Sequence, residues 1–146
     1  MSKRIYLVRH GRAEASNPGG DAARRLTPEG RLDLEGHVRR IRAELQVSRV
    51  VASPFTRCRE TAQILATVLG VRADAEAELA SGVSDARGVL LLAARCGAGT
   101  VLVGHNPELG GAVATVAGRE VEFPPGTIAA VDVDGGEFGL AWVRVP

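Results

Sequence analysis

Two histidines and two arginines stand at the ends of short apolar runs. His10 follows the run 5–8, directly after Arg9 and before Gly11. His105 follows the run 101–103, after Gly104. Arg57 comes one helical turn after Ser53-Pro54, where the run 50–52 ends. Arginine presents planar, bidentate donors that match phosphate oxygens. A neutral histidine is a nucleophile, and passing a phosphoryl group through its imidazole divides one hard step into two easier ones. Gly11 lets the chain turn close to a ligand with no side chain in the way. The chemistry this set suits is phosphoryl transfer, in which charge placed in advance around the transferring group is the main protein contribution. Two arginines near His10 favour its neutral, nucleophilic form by like-charge repulsion.

The elements that must position these groups alternate strand and helix. Residues 4–8 read as a fully buried strand. Thr27 is a good N-cap with Pro28 at the first helical position, so a helix starts there, with Leu32, Leu34, Val38, Ile41 and Leu45 roughly on one face. Residues 49–52 form a second strand. Ser53-Pro54 repeats the cap-plus-proline signature and opens a helix through Leu69, with Gly70 as its stop. A helix over 85–96 ended by Gly97, a strand over 100–103 and a helix over 107–117 follow. Residues 131–133 and 140–143 flank a turn at 134–136 and read as a closing hairpin. Repeated βα units predict an α/β fold, a three-layer α/β/α sandwich with a mainly parallel central sheet. Ligands of such sheets bind beyond the carboxyl ends of the strands. That rule gathers Arg9, His10, Ser53, Arg57 and His105 on one edge, with the helices opening at Pro54 and Pro107 aimed at it and attractive to an anion. The longest loops, 11–26 and 119–127, are the other places to expect function.

Bulk properties are compatible and exclude alternatives. At 146 residues the chain predicts one domain, 1–146, able to bury ~68–70% of its extended surface. An apolar fraction of 45% and a charged fraction of 24% exclude a disordered chain, a collagen and a coiled coil. Aromatics are only 3%, so the core must be aliphatic. The net charge of +1 conceals an asymmetry: residues 1–73 hold 14 Lys and Arg against 7 Asp and Glu, and residues 74–146 hold 4 against 10, hence +7 and −6. All the basic residues but Lys3 are arginine. The first apolar run is four residues long, against ~7–15 in a secretory leader, and no run approaches the ~20 that span a bilayer. Cys58 and Cys96 form no CxxC pair and read as reduced thiols. These features predict a cytoplasmic protein, with no membrane or nucleic-acid partner, that acts as a monomer.

Three ordered segments carry a family resemblance. LVRHGRAE (7–14) resembles the RHG signature of the histidine phosphatase superfamily, which includes the cofactor-dependent phosphoglycerate mutases. SPFTRCRETA (53–62) is similar to its second motif, SPxxRxxxTA, and GHNPEL (104–109) to its third, which carries a second histidine. DAARRLTPEG (21–30) is similar to the DxxRPLTxxG of the short SixA-type phosphohistidine phosphatases, with Arg25 in place of proline. The resemblance runs from about residue 3 to the C-terminus. It implies that His10 attacks phosphorus and becomes phosphohistidine, while Arg9, Arg57 and His105 bind the phosphoryl oxygens. It implies a phosphohistidine phosphatase acting on a protein phosphohistidine of the phosphorelay or phosphotransferase type, without cofactor. Mutase-like members have Glu two residues after the nucleophile, where this chain has Arg12, and a further acidic proton donor. Glu14, Glu78 and Asp85 are the candidates for that donor, and none fits a motif well. A weak donor disfavours phosphate monoesters and is compatible with a P–N bond, whose leaving group is an imidazole. A short chain also leaves the site open to a docked protein.

The remaining candidates carry alternatives. Gly11, Arg24, Asn17, Ser53 and Asn106 are candidate substrate contacts. Arg24 is equally a loop-holding partner of Asp21, Asn17 a turn residue and Asn106 a helix cap. His37, mid-helix without a motif, reads as structural or solvated. Rival functions are a small-molecule phosphomonoesterase on a small phosphorylated substrate and a non-catalytic phosphate-binding regulatory module. GxxxxGK[ST] is absent, and neither cysteine has an arginine six residues on. Ala130 to Gly135 resembles an aspartate-nucleophile motif, but only twelve residues follow Asp134 and Lys3 is the only lysine. A receiver-like domain needs an acidic pair where Arg9-His10 stands. No His/Cys/Asp/Glu cluster has metal-ligand spacing, so no metal is predicted.

Overall fold

The computed structural model describes residues 2–146. Six strands form one sheet: β1 (Lys3–Arg9), β2 (Arg49–Ala52), β3 (Arg72–Ala75), β4 (Thr100–Gly104), β5 (Ile128–Asp134) and β6 (Glu137–Arg144). Their spatial order is β3-β2-β4-β1-β5-β6. The first four run parallel, and β5 and β6 are antiparallel. Helices α1 (Pro28–Ile41) and α2 (Thr56–Leu69) precede β2 and β3; α3 (Ala86–Arg95) and α4 (Glu108–Ala117) precede β4 and β5. The three-layer arrangement follows from alternation along the buried strands. Tyr6 and Val8 pack with Leu34, Val38, Ala62 and Leu65 of α1 and α2. Ile5 and Leu7 pack with Val89, Ala93, Leu109 and Val113 of α3 and α4. Each central strand therefore feeds two aliphatic cores, which is why it reads as a continuous apolar run rather than an alternating one.

Local chemistry explains most boundaries. The Thr27 hydroxyl accepts from Gly30 N at 2.9 Å and caps α1. Asp85 caps α3 by accepting from Gly88 N at 2.8 Å. Gly70 closes α2 in the left-handed region, at φ 69°. Gly30 matters in another way: a Cβ there would collide with the Arg12 carbonyl oxygen, so α1 abuts the loop after β1 only because position 30 is bare.

The structure departs from the sequence reading in several places. Ser53 does not cap α2; the helix starts at Thr56, and the Ser53 hydroxyl accepts from Phe55 N at 3.2 Å within the turn before it. Helix α4 starts at Glu108, one residue later than expected. Leu32 does not share the face of Leu34, since two residues span ~200° of helix, and it is 74% exposed. Of the two readings of His37 the structural one holds: it is buried, and its Nε2 lies 3.1 Å from the Arg144 carbonyl oxygen, fastening α1 to β6. Strand β3 had no sequence signal. Its RADA has charges at alternate positions because it is an edge strand, where charge discourages further pairing.

Candidate active site

The strand register assembles the site. Arg9 of β1 pairs with Gly104 of β4, and Ala52 of β2 pairs with Val103 of β4. The next residue of each strand is therefore His10, His105 or Ser53, and all three reach one edge together. His10 N donates to the Gly104 carbonyl at 3.1 Å and Ser53 N to the Val103 carbonyl at 3.0 Å, which carries the ladder one step beyond the strands. The His10 and His105 rings meet edge to face with centroids 5.5 Å apart. Arg57, on the first turn of α2, reaches them from the helical layer: its Nη2 lies 3.4 Å from His105 Nδ1. Arg9 comes from the other side and donates from Nη1 to the Phe123 carbonyl at 3.1 Å. His10, Arg57 and His105 are all buried, at 7%, 4% and 3% exposure, so their interactions are only weakly screened by water. The Nε donors of Arg9 and Arg57 are buried and unpartnered among the described residues, which leaves N–H capacity for an anion.

Electrostatics keep the His10 ring neutral. Its Nδ1 lies 2.7 Å from the Gly11 carbonyl oxygen. A carbonyl only accepts, so Nδ1 carries the proton and Nε2 keeps its lone pair. Burial, then the charges of Arg57, Arg9 and Arg24, push its pKa from 6.5 down to about 4, against the Gly11 hydrogen bond. His105 is also lowered to about 4, first by burial and then by Arg57 and His10. Both rings are neutral near pH 7. Buried cations, neutral imidazoles and spare N–H donors form a site complementary to a phosphoryl dianion.

Neighbouring groups hold this arrangement. Asp21 is central: its carbonyl accepts from Arg57 Nη1 at 2.7 Å, and its carboxylate takes Arg57 Nη2 at 3.2 Å and Arg24 Nη1 at 2.9 Å. The hydrogen bond from Arg24, joined by that from Arg57, holds the Asp21 pKa below the usual range against desolvation, so it is a carboxylate brace rather than an acid. Arg24 also donates from Nε to the Glu14 carbonyl at 2.6 Å. It holds the loop, as one alternative had it, while its charge still acts on His10. Phe55 lies edge-on to His105 with centroids 4.9 Å apart, and the Arg57 guanidinium is 5.2 Å from the Phe55 centroid. The Cys58 thiol, 3.5 Å from His105 Nε2, is pushed up to about 12 by burial and is chemically quiet.

Several candidates from the sequence go elsewhere. Ser53 is fully buried, and its hydroxyl lies 2.8 Å from His105 Nε2; it orients that ring instead of lining the ligand space. Asn17 is occupied by its own turn, with Oδ1 accepting from Gly19 N and Nδ2 donating to Glu14 Oε1. Asn106 caps α4 through Gly110 N at 3.0 Å and donates to the Phe123 carbonyl at 3.1 Å. The acidic candidates are similarly committed. Glu14 accepts from Arg25 N at 2.7 Å, and that bond and Asn17 hold its pKa down. Glu78 forms a two-pronged pair with Arg95 at 2.9 and 3.0 Å. Asp85 is the α3 cap. Gly11 stays in the site as the carbonyl that orients His10. Sequence reasoning missed the roles of Phe55, Thr61 and Asp21 in bracing it. Phe55 and Thr61 lie inside the 53–62 motif and Asp21 inside the 21–30 segment, so motif membership was the available signal.

Comparison with known proteins bears on the family and the fold. The family model of the histidine phosphatase superfamily (branch 1) matches residues 5–81. No curated protein sequence matches the chain. Among solved structures, the fold is similar to that of a protein from Agrobacterium tumefaciens assigned as the phosphohistidine phosphatase SixA, with TM-score 0.84, 24% identity, and coverage of 99% of this chain and 98% of that one. It is similar to the protein histidine phosphatase SixA complexed with tungstate, with TM-score 0.84, 25% identity, and coverage of 98% and 97%. A mycobacterial glucosyl-3-phosphoglycerate phosphatase shares the fold at TM-score 0.73 and 16% identity, with coverage of 97% and 98%. No helix among the described residues is long and apolar enough to cross a membrane.

Proposed function

The chain belongs to the histidine phosphatase superfamily (branch 1), and from that premise we propose that it hydrolyses phosphohistidine on a protein through a covalent phospho-His10 intermediate. The His10 Nε2 lone pair attacks phosphorus. The bond to the substrate imidazole breaks, its electron pair stays on that nitrogen, and the freed imidazole takes a proton from solvent as needed. Water then attacks phospho-His10, releasing inorganic phosphate and restoring the neutral ring. Arg9, Arg57 and His105 hold the phosphoryl oxygens throughout, and Asp21 fixes the Arg57 fork in a bidentate pose. The likeness to a histidine phosphatase complexed with tungstate supports this reading, because tungstate is a tetrahedral oxyanion like phosphate.

The observation that carries the substrate class is the fate of the acidic residues. Glu14, Glu78 and Asp85 each have a partner away from His10, and Asp21 is held ionised between two arginines. A phosphate monoester with an alkoxide leaving group needs a protonated group to receive it. An imidazole protonated by solvent on its other nitrogen leaves as a neutral ring, so the enzyme need not supply that proton. A phosphorelay or phosphotransferase protein supplies such a group, and no metal or cofactor enters either step.

The deciding experiment compares turnover of a histidine-phosphorylated carrier protein with that of an alkyl phosphate ester, O-phosphoserine, with and without chelator. Faster turnover of the P–N substrate, insensitive to chelator, is expected, together with acid-labile, base-stable label on the enzyme that His10→Ala abolishes. A large preference for the ester points instead to a small-molecule phosphomonoesterase. Phosphate binding with no turnover of either substrate points to a regulatory module.

A further inference from the structure

We infer that Thr61 is a positioning residue that sets the His10 nucleophile through Gly11, an assignment that rests on the phosphoryl-transfer reading of the same site. Thr61 lies on α2, four residues after Arg57, and is fully buried. Its hydroxyl has two partners. The proton goes to the Arg57 carbonyl at 2.8 Å, and the oxygen accepts from Gly11 N at 3.0 Å. The Gly11 carbonyl is in turn the group 2.7 Å from His10 Nδ1. One hydroxyl thus ties the helix bearing the phosphate-binding arginine to the glycine that selects the His10 tautomer.

Among the described residues, Thr61 is the one hydrogen-bond partner of Gly11 N. The residues before it are fastened by backbone: His10 N to the Gly104 carbonyl, and Gly126 N to the Arg9 and His10 carbonyls. The residue after it is fastened by Thr27 N on the Arg12 carbonyl and by the close approach of Gly30. Gly11 N, by contrast, is fastened through the Thr61 side chain. Without that acceptor a buried amide is left unsatisfied, and the loop gains by turning it elsewhere. The Gly11 carbonyl turns with it, and His10 loses the acceptor that keeps its proton on Nδ1. Valine has the shape of threonine without the hydroxyl, so it isolates this effect. Serine keeps the hydroxyl and removes only a methyl.

The test uses Thr61→Val and Thr61→Ser with two readouts. The first is the rate of phospho-His10 formation from phosphoramidate, a small P–N donor, per folded molecule. For Thr61→Val, kcat is expected to fall by about 10- to 100-fold, as small misplacements of a reacting group do. KM is expected to change little, because Arg9 and Arg57 remain. Thr61→Ser restores most of the rate. The second readout, taken without substrate, is the pair of His10 ring 15N shifts. Wild type and Thr61→Ser show one tautomer protonated at Nδ1, and Thr61→Val shows a mixture. A folded Thr61→Val with wild-type kcat and wild-type ring shifts overturns the assignment. So does a folded Thr61→Ser as impaired as the valine variant, since the methyl would then be what matters. If the valine variant does not fold, Thr61→Ala takes its place with the same expectations. A wild-type ring with a single tautomer that Thr61→Val scrambles, in a protein that forms no phosphoenzyme, leaves the positioning role standing and removes the phosphatase reading.

Discussion

Replacing His10 by asparagine should flatten the acid dependence of stability, by an amount the burial of the ring sets. In the unfolded chain His10 takes a proton at an ordinary 6.5, whereas in the fold it does so only at about 4. Between those values the unfolded state binds more protons, so stability rises with pH through the window. It is complete above about 6.5 and is lost as the pH falls toward 4. Moving from about pH 7 to about pH 5 costs about 2 kcal/mol for this one group, from the linkage integral over a shift of that size. Denaturation by urea at the two pH values reads this directly, as a displacement of the midpoint by about 1 M. Carboxylates, His37 and most of the His105 contribution are common to both proteins, so the difference between their two displacements isolates His10. Wild type should lose about 2 kcal/mol more than His10→Asn over the interval. Equal losses would mean that His10 is not held neutral by burial and cations, and the account of its nucleophilicity would fall with that.

Other outcomes test the surroundings. Arg57→Ala should lower the rate of phosphoenzyme formation by roughly 10²–10³, the cost of one preorganised donor to a developing anion, and a variant within twofold of wild type removes Arg57 from the site. Gly30→Ala should destabilise the fold by about 1–3 kcal/mol in thermal or urea unfolding, because the added methyl pushes α1 off the Arg12 carbonyl. Glu78→Gln should leave turnover unchanged and Asp85→Ala should lose about 1 kcal/mol of stability through the α3 cap with activity retained; a large fall in kcat for either restores it as proton donor.

The central strands and the capped α1 were readable because each depends on short-range chemistry: a run buried on both faces, or a hydroxyl three residues before its amide. The convergence of His10, Ser53 and His105 was readable too, because parallel strands deliver their carboxyl ends to one edge. What stayed hidden depends on long-range geometry. Strand β3 exists because β2 offers it an edge, not because RADA favours extension. Ser53, Asn17 and Asn106 were plausible ligand contacts as polar residues at loop starts, yet each serves a nearby ring or amide. Asp21 and Thr61 act across 36 and 50 residues of sequence, a separation that no local pattern encodes.

The sheet order has a consequence for the newly made protein. Strands β1 and β2 are both synthesised early, but they are not neighbours; β4 lies between them. A nascent chain that has not yet released residues 100–104 from the ribosome holds β1 and the Arg57 helix with no common strand to join them. Pairing of β4 with both β1 and β2 is what places His10, Ser53 and His105 together. Residues 1–99 by themselves therefore lack the strand that brings His10, Ser53 and His105 to one edge.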